Sequence, residues 1–165
     1  MEKKNNNDLD NNKKLKDMTH YTIGIYFNKS FTHVVLILKN RPQWQKGLHN
    51  FPGGHKESHE SIKECITREF EEECGIKTMF DDWWFIGEIY NNKNDYTVSI
   101  LTAIKEEVHG DIKTNEDQIV KWVPVNQLPK KRIANIQWLV FFALNYWKGS
   151  EVEKLKVGYF CYEPY

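Results

Sequence analysis

The 165-residue sequence has few cysteines, no net charge and no long apolar run, and each of these features excludes some classes of protein. The three cysteines, Cys65, Cys74 and Cys161, lack CxxC or other ligand-like spacing, which argues against a disulfide framework or a structural zinc site. We therefore expect reduced thiols. Lysine and arginine together number 23, as do aspartate and glutamate. No global positive field therefore draws the chain to duplex nucleic acid or to an anionic membrane.

The start of the chain is polar and no segment has the character of a membrane anchor. No apolar stretch reaches the length of a membrane span, and residues 1–17 cannot serve as the apolar region of a signal peptide. These residues are rich in Asn and Lys, so we expect a disordered tail over 1–17 and one domain over 18–165. The expected location is the cytoplasm, without a membrane partner.

Strand-like and helix-like patterns alternate after the tail. Strands are predicted in HYTIGIYF, HVVLILK, FDDWWFIGEIY, YTVSILTAIKE and IVKWVPV, the third and fourth joined as a hairpin by NNKND. Ser61 and Glu64 form a capping-box pattern and Gly75 suits a left-handed position, which predicts a helix over 62–74. IANIQWLVFFALNYW is apolar around most of its circumference and predicts a buried second helix. This order indicates an α/β fold with a mixed sheet between helices.

The first predicted helix carries acidic residues on its apolar side. At about 100° per residue, Glu69, Glu72 and Glu73 share one face with Ile62 and Ile66. Carboxylates at these spacings repel one another, and the helix dipole disfavours anions in the last turn. A bound cation would relieve both costs, and clustered oxygen ligands suit Mg²⁺ or Mn²⁺. Taken alone, the pattern also fits a charged face in contact with solvent.

The residues around these acids follow a longer pattern. From Gly54 the sequence reads GHKESHESIKECITREFEEECGI, with Gly, Glu, Arg-Glu, an apolar residue, Glu-Glu, Gly and an apolar residue at set intervals. This stretch resembles the signature of the Nudix hydrolases at every fixed position, and the resemblance covers about Tyr21 to Trp147. It implies a Nudix-type α/β/α sandwich and a hydrolase that acts on phosphoanhydride bonds.

The resemblance also implies which residues bind the metal. Glu72, Glu73 and the Gly53 carbonyl would be ligands of Mg²⁺ or Mn²⁺, and Glu69 would be either a further ligand or the base that activates water. Cations neutralise a pyrophosphate group while a carboxylate orients the water that attacks phosphorus. The predicted site is therefore a metal-dependent pyrophosphohydrolase centre.

Five further residues have supporting or catalytic roles by the same match. Glu60 and Arg68 would brace the loop against the helix, and Arg68 would also hold the catalytic carboxylate in place. Gly54 and Gly75 are structural positions where the backbone turns or approaches closely. Glu116, in the loop TNEDQIVKW, is the choice for an additional catalytic carboxylate, with a solvated loop residue as the alternative.

Candidates for substrate binding lie in two regions. Asn135, near the start of the second helix, matches a position where relatives that act on oxidised dGTP read the base; the alternative is a helix cap. Trp44 and Arg41, in NRPQWQKGLHNFPGGH, are candidates to stack on a base and to meet phosphates. Other candidates are Lys39 and Lys46 for phosphates and Trp83, Trp84 and Trp122 for stacking, although a Trp is more often part of the core.

The expected partner is a small-molecule nucleotide substrate. The size of the chain and Asn135 favour nucleoside triphosphates, including oxidised purine dNTPs, cleaved to a monophosphate and pyrophosphate. The alternatives are ADP-ribose or another nucleotide sugar, a dinucleoside polyphosphate, and a Nudix fold that senses a nucleotide without turnover. The aromatic tail VGYFCYEPY fits either a closing strand or a contact within a homodimer.

Overall fold

The structure of the chain is a computed structural model that describes residues 18–91, 95–104, 112 and 118–149, together with the backbone of residues 105 and 158–161. The expected tail over 1–17 and the candidate Glu116 lie outside the described residues. The described residues form the strands and helices β1 Thr19–Asn28, β2 His33–Leu38, β3 His49–Asn50, α1 Ile62–Cys74, β4 Trp84–Asn91, β5 Tyr96–Lys105, β6 Ile119–Pro124, α2 Ile136–Lys148 and β7 Gly158–Cys161.

The strands form one mixed sheet with β1 in its interior. β1 runs parallel to β5 along its whole length, from Thr19 opposite Tyr96 to Asn28 opposite Lys105. β5 pairs antiparallel with β4, and β4 pairs parallel with β7. On the other side of β1, β2 pairs antiparallel with β1, β3 and β6. Part of the aromatic tail is thus a closing strand, which is one of its two predicted roles.

The two helices cover opposite faces of this sheet. Side chains of β1 and β2 alternate between two cores, with Phe27 and Leu36 facing α2 while Tyr26 and Ile37 face α1. Strand geometry sends successive side chains to opposite faces, so each strand contributes to both layers. The predicted α/β/α sandwich with a mixed sheet between helices is therefore confirmed.

Helix α1 has the predicted ends. Ser61 Oγ accepts from the Glu64 N–H at 3.2 Å, and Glu64 Oε2 accepts from the Ser61 N–H at 2.7 Å, so both bonds of the capping box are present. At the other end Gly75 has φ +65° and donates its N–H to the Glu71 carbonyl at 2.8 Å. The buried Phe70 faces the sheet, and burial of such a side chain stabilises the fold by about 2 kcal/mol.

Two sequence expectations need correction or a sharper statement. The predicted strand FDDWWFIGEIY begins only at Trp84, because Phe80–Asp82 forms a 3₁₀ turn in which the Met79 N–H donates to the Asp82 carboxylate. Helix α2 is not buried all round, since Phe141 is 67% exposed. Cys65 and Cys74 are free and buried. Within the described residues, neither helix has the length and apolar character needed to cross a membrane.

Candidate active site

The glycine loop before α1 lies against the first half of β1. The Thr22 N–H donates to the Gly54 carbonyl and the Gly24 N–H donates to the Pro52 carbonyl, both at 2.9 Å. Gly53 has φ +143°, and a β-carbon there would lie 2.1 Å from the Thr22 carbonyl oxygen. Glycine alone tolerates both the conformation and the approach. The backbone of the loop is therefore fixed against the strand.

Glu73, in the last turn of α1, is held through both carboxylate oxygens. Oε2 accepts from the Gly53 N–H at 2.8 Å, and Oε1 accepts from the Lys39 ammonium at 2.5 Å. The same ammonium lies 3.5 Å from the Gly53 carbonyl oxygen. Glu73 is 6% exposed and Lys39 is 9% exposed, so the two form a buried ion pair. Charge-assisted hydrogen bonds of this kind offset the cost of removing both charges from water.

The role of Lys39 was not predicted from the sequence, in which Lys39 was a candidate only for contact with phosphates. Lys39 follows the apolar strand β2 directly, and its backbone is paired on both sides, with Leu48 and Gly47. A lysine at the end of a strand that is buried on both faces must extend along the core or pair with an acid. That signal, an isolated cation after a wholly apolar run, predicts a buried acidic partner for Lys39 without identifying Glu73.

Arg68 connects the loop to three carboxylates. Its Nε and Nη2 donate to the two oxygens of Glu60 at 3.1 and 2.8 Å, and Nη2 also donates to the His55 carbonyl at 3.2 Å. Nη1 donates to Glu69 at 2.8 Å and to Glu72 at 3.1 Å. The hydrogen bonds from Arg68 lower the pKa of Glu60 to about 2. The pairing of Glu60 with Arg68 across the loop is the contact that the family resemblance implies.

Glu69 lies between the Arg68 guanidinium and the Gly54 backbone. A β-carbon on Gly54 would lie 2.4 Å from its Oε2, so the carboxylate packs directly on the Gly54 backbone. Burial raises the pKa of Glu69, Arg68 opposes the shift, and the neighbouring Glu73 and Glu72 add to it. Glu69 is therefore held in one place between a guanidinium and a glycine, and its surroundings favour added positive charge.

The three carboxylates predicted at the metal site share one helix face, but two different cations hold them. Glu73 is paired with Lys39, whereas Glu69 and Glu72 share Arg68. Consistent with this division, no group of three or more His, Cys, Asp or Glu side chains is gathered as a metal-ligand set within the described parts of the chain.

The donor chemistry nevertheless fits a divalent cation. The Lys39 ammonium lies against Glu73 and near the Gly53 carbonyl, the two oxygen donors that the resemblance assigns to the metal. A cation is thus already favoured at this position. Carboxylate and carbonyl oxygens are the ligands that Mg²⁺ and Mn²⁺ prefer. Glu72 is half-exposed and borders a groove of about 590 Å³ beside α1, so this carboxylate is reached from solvent.

Comparison with known proteins identifies the fold around this site. The model of the NUDIX domain matches residues 18–144. The chain belongs to the NUDIX family. As a member of this family it is a hydrolase that acts on phosphoanhydride bonds. No curated protein matches the sequence.

Several solved structures share the NUDIX fold of this chain. The MutT protein from Bacillus halodurans is 22% identical, with a TM-score of 0.60 over 89% of this chain and 92% of that one. The NUDIX domain of Shewanella oneidensis NrtR, solved with ADP ribose, is 18% identical, with a TM-score of 0.65 over 88% and 100%. A NUDIX hydrolase from Nitrosomonas europaea is 12% identical, with a TM-score of 0.66 over 88% and 80%. At these identities the likeness shows the fold alone.

Asn135 immediately precedes α2 in this NUDIX domain and makes no capping bond. Its side chain accepts no hydrogen bond from an N–H of the helix, so Asn135 does not act as a side-chain cap. Its Oδ1 is buried and has no hydrogen-bond partner within the described residues. The preceding segment is tied to β3, since the His49 N–H donates to the Lys131 carbonyl and the Ile133 N–H donates to the His49 carbonyl. The segment that precedes Asn135 is therefore attached to the strand that leads into the glycine loop.

The remaining substrate candidates differ in exposure. Trp44 is 67% exposed in a 3₁₀ turn between β2 and β3, and Arg41 is exposed just before that turn. Trp83 is fully buried and packs against Phe70 and Tyr26, so it is a core residue and not a surface for stacking on a base. Trp84 is exposed on β4.

Proposed function

We propose that this NUDIX domain hydrolyses nucleoside triphosphates to a nucleoside monophosphate and pyrophosphate with the help of Mg²⁺ or Mn²⁺. Water adds to a phosphorus of the diphosphate linkage, the bridging P–O bond breaks, and the proton of the water passes to a protein carboxylate. Glu72, Glu73 and the Gly53 carbonyl would hold the cation, whose chemistry is to neutralise the charge that develops on the phosphate oxygens.

Glu69 is the carboxylate that would orient the water and take its proton. Its support is geometric, because the side chain is confined between the Arg68 guanidinium and the Gly54 backbone. A base acts efficiently only when it is held within hydrogen-bond reach of the proton it removes. Arg68 is a positioning residue here, since it fixes Glu69 and anchors the glycine loop through the His55 carbonyl.

The observation that supports a substrate with a nucleobase is the buried Oδ1 of Asn135, which lacks a hydrogen-bond partner among the described residues. An acceptor left without a hydrogen bond in the interior costs about 1–3 kcal/mol, and a ligand that donates to it recovers that cost. The N–H edge of a purine is such a donor. Asn135 would therefore select for a nucleobase, including an oxidised purine that presents an additional N–H.

A second candidate substrate is ADP-ribose, because the similar NUDIX domain of Shewanella oneidensis NrtR was solved with ADP ribose. The two candidates share the diphosphate linkage and differ in what is attached to it. Both are small-molecule nucleotides.

The proposal is tested by a substrate panel of ATP, GTP, dGTP, oxidised dGTP, ADP-ribose and a dinucleoside tetraphosphate with Mg²⁺ or Mn²⁺, with products identified by chromatography. Glu73→Gln should lower turnover strongly. Glu71→Gln on the same helix, whose side chain pairs with Lys77 at 3.6 Å, serves as the matched control and should retain it. Turnover of no nucleotide, or equal turnover in both variants, would overturn the proposal. Preference for ADP-ribose over all triphosphates would favour the second candidate.

A further inference from the structure

The ammonium of Lys39 is fixed in place by the fold. The Lys39 N–H donates to the Leu48 carbonyl at 3.0 Å, and its own carbonyl accepts from the Gly47 N–H at 2.9 Å. The backbone at the start of the side chain is therefore held from both directions. The stem runs into the interior, where the ammonium ends 2.5 Å from Glu73 Oε1.

The contacts of this ammonium coincide with the donors assigned to the metal. Glu73 Oε1 and the Gly53 carbonyl oxygen both face it, at 2.5 and 3.5 Å. The remaining oxygen of Glu73 is bound to the Gly53 N–H. Both oxygens of the carboxylate are thus engaged inside the protein, and a new ligand must take one of them from its present partner.

An ammonium and a divalent cation cannot share one buried oxygen at low cost. Two positive charges a few ångströms apart repel strongly when little water screens them, and the repulsion doubles when one ion carries two charges. Glu73 has one negative charge, which Lys39 already matches. Binding of a divalent ion to Glu73 therefore requires the ammonium to move away, which its flexible four-carbon stem allows.

We propose that Lys39 is a competing cation that holds Glu73 when no metal is bound, and that a divalent ion binds Glu73 only after displacing the ammonium. This inference rests on the metal-dependent function proposed above. Lys39 then sets the metal affinity of the site, because the observed dissociation constant equals the intrinsic one divided by the fraction of molecules in which Glu73 is free. In the metal-free protein, Lys39 also provides the charge that pairs with the buried Glu73 carboxylate.

The test is a Mn²⁺ titration of the full chain, without nucleotide, followed by electron paramagnetic resonance of the free ion. Lys39→Gln removes the charge and keeps a hydrogen-bond donor for Glu73, and Lys39→Met removes both. Each should bind Mn²⁺ about tenfold more tightly than the wild type. Lys39→Arg, which keeps the charge, should stay close to the wild type. Lys130→Met, on an exposed lysine before α2, is the control for loss of one positive charge.

Thermal unfolding supplies a second readout. The Lys39→Gln variant should melt below the wild type in a chelator, and Mn²⁺ should raise its melting temperature by more than it raises that of the wild type. A purely structural role for Lys39 would lower the melting temperature without tightening metal binding. Equal or weaker Mn²⁺ binding by the neutral variants therefore overturns the competition.

A Glu73→Gln variant separates this inference from the function on which it rests. If Glu73→Gln weakens Mn²⁺ binding and the neutral Lys39 variants do not tighten it, the competition alone is overturned. If the wild type and all variants bind no Mn²⁺, or if Glu73→Gln binds it as the wild type does, the metal role of Glu73 is overturned as well. Tighter binding in both neutral variants, with Lys39→Arg and Lys130→Met near the wild type, supports the competition.

Discussion

The carboxylate of Glu69 rests on the backbone of Gly54, on which a β-carbon would come within 2.5 Å of both Glu69 oxygens. This contact exists because the glycine loop is hydrogen-bonded to β1 and α1 packs beside it. Gly54 has no positive φ, so glycine is required there for the close approach of the carboxylate and not for the backbone conformation. The position of the candidate base thus depends on the absence of a β-carbon at Gly54.

Gly54→Ala should therefore damage activity far more than stability. The new methyl group displaces only the end of a flexible side chain, so we expect a loss of at most about 1–2 kcal/mol in the free energy of unfolding. A shift of the base by about 1 Å lowers kcat by about 100-fold. Urea unfolding measures the change in stability, and steady-state turnover measures the change in kcat.

Gly47→Ala is the matched control for this prediction. Gly47 has φ +78° and open space around it, so the substitution introduces backbone strain of about 1–2 kcal/mol without crowding the site. Stability should fall while kcat is retained. Equal loss of activity in both variants would contradict the role of the Gly54–Glu69 contact.

Arg68→Lys should lower activity although it keeps the charge. Arg68 uses three nitrogens to bind Glu60, Glu69, Glu72 and the His55 carbonyl, and a single ammonium cannot reproduce this planar arrangement. We expect kcat to fall by about 10–100-fold, as for other residues that orient a catalytic group. Arg132→Lys, on an arginine that binds the Pro129 carbonyl and Gln137, is the control. An unchanged kcat in Arg68→Lys would show that charge alone suffices.

The ion pair between Glu60 and Arg68 should appear in the pH dependence of stability. Arg68 lowers the pKa of Glu60 from 4.5 to about 2, so the folded state binds this proton less readily than the unfolded state does. The resulting stabilisation is fully present above about pH 4.5 and is lost as the pH falls towards 2. Glu60→Gln should be less stable than the wild type at pH 6, and the difference should shrink below pH 4.5. A difference in the free energy of unfolding that stays constant down to pH 2.5 would contradict this role of the ion pair.

Much of the fold was predictable because its signals are local. The capping box at Ser61 and Glu64 and the left-handed Gly75 define α1 within a few residues, and the structure shows both. The alternating pattern of HYTIGIYF located β1 and the continuous apolar run HVVLILK located β2 for the same reason. The spacing from Gly54 to Ile76 indicated the family because it reflects the geometry of one loop and one helix.

Other features depend on contacts between distant parts of the chain. Lys39 and Glu73 are 34 positions apart, and no local pattern links a lysine after β2 to the last turn of α1. The burial of Trp83 arises from its packing under Tyr26 and Phe70, which the motif FDDWW does not reveal. Parallel pairing of β7 with β4 depends equally on the tertiary fold.

Trp83→Phe should reduce stability and leave catalysis intact. The indole is fully buried, and its Nε1–H donates to Thr78 Oγ1 at 3.0 Å. The substitution leaves a small cavity and removes the partner of a buried hydroxyl, at a combined cost of about 1–3 kcal/mol. Trp84→Phe, on the exposed neighbour, should cost less than about 1 kcal/mol. A raised KM for nucleotides in Trp83→Phe, at temperatures where the variant is folded, would instead indicate contact with substrate.

Asn135→Ala distinguishes a base-reading amide from a helix cap by the sign of its effect on stability. Removal of a capping side chain costs about 1 kcal/mol. Asn135 makes no capping bond and its Oδ1 is buried without a partner among the described residues. Truncation should therefore leave the free energy of unfolding unchanged or slightly increased. Differential unfolding of the two proteins in urea measures this directly.

The same variant should lose selectivity among nucleotides. If the Asn135 amide accepts a hydrogen bond from the base, its removal should reduce the ratio of kcat/KM between the preferred nucleotide and its competitors by about tenfold or more. The comparison of dGTP with oxidised dGTP is the most specific, because the two differ at the N–H edge that the amide would contact. Unchanged ratios across the nucleotide panel would remove Asn135 from substrate recognition. The roles proposed for Glu69, Glu72 and Glu73 would be unaffected, because they do not depend on how the base is bound.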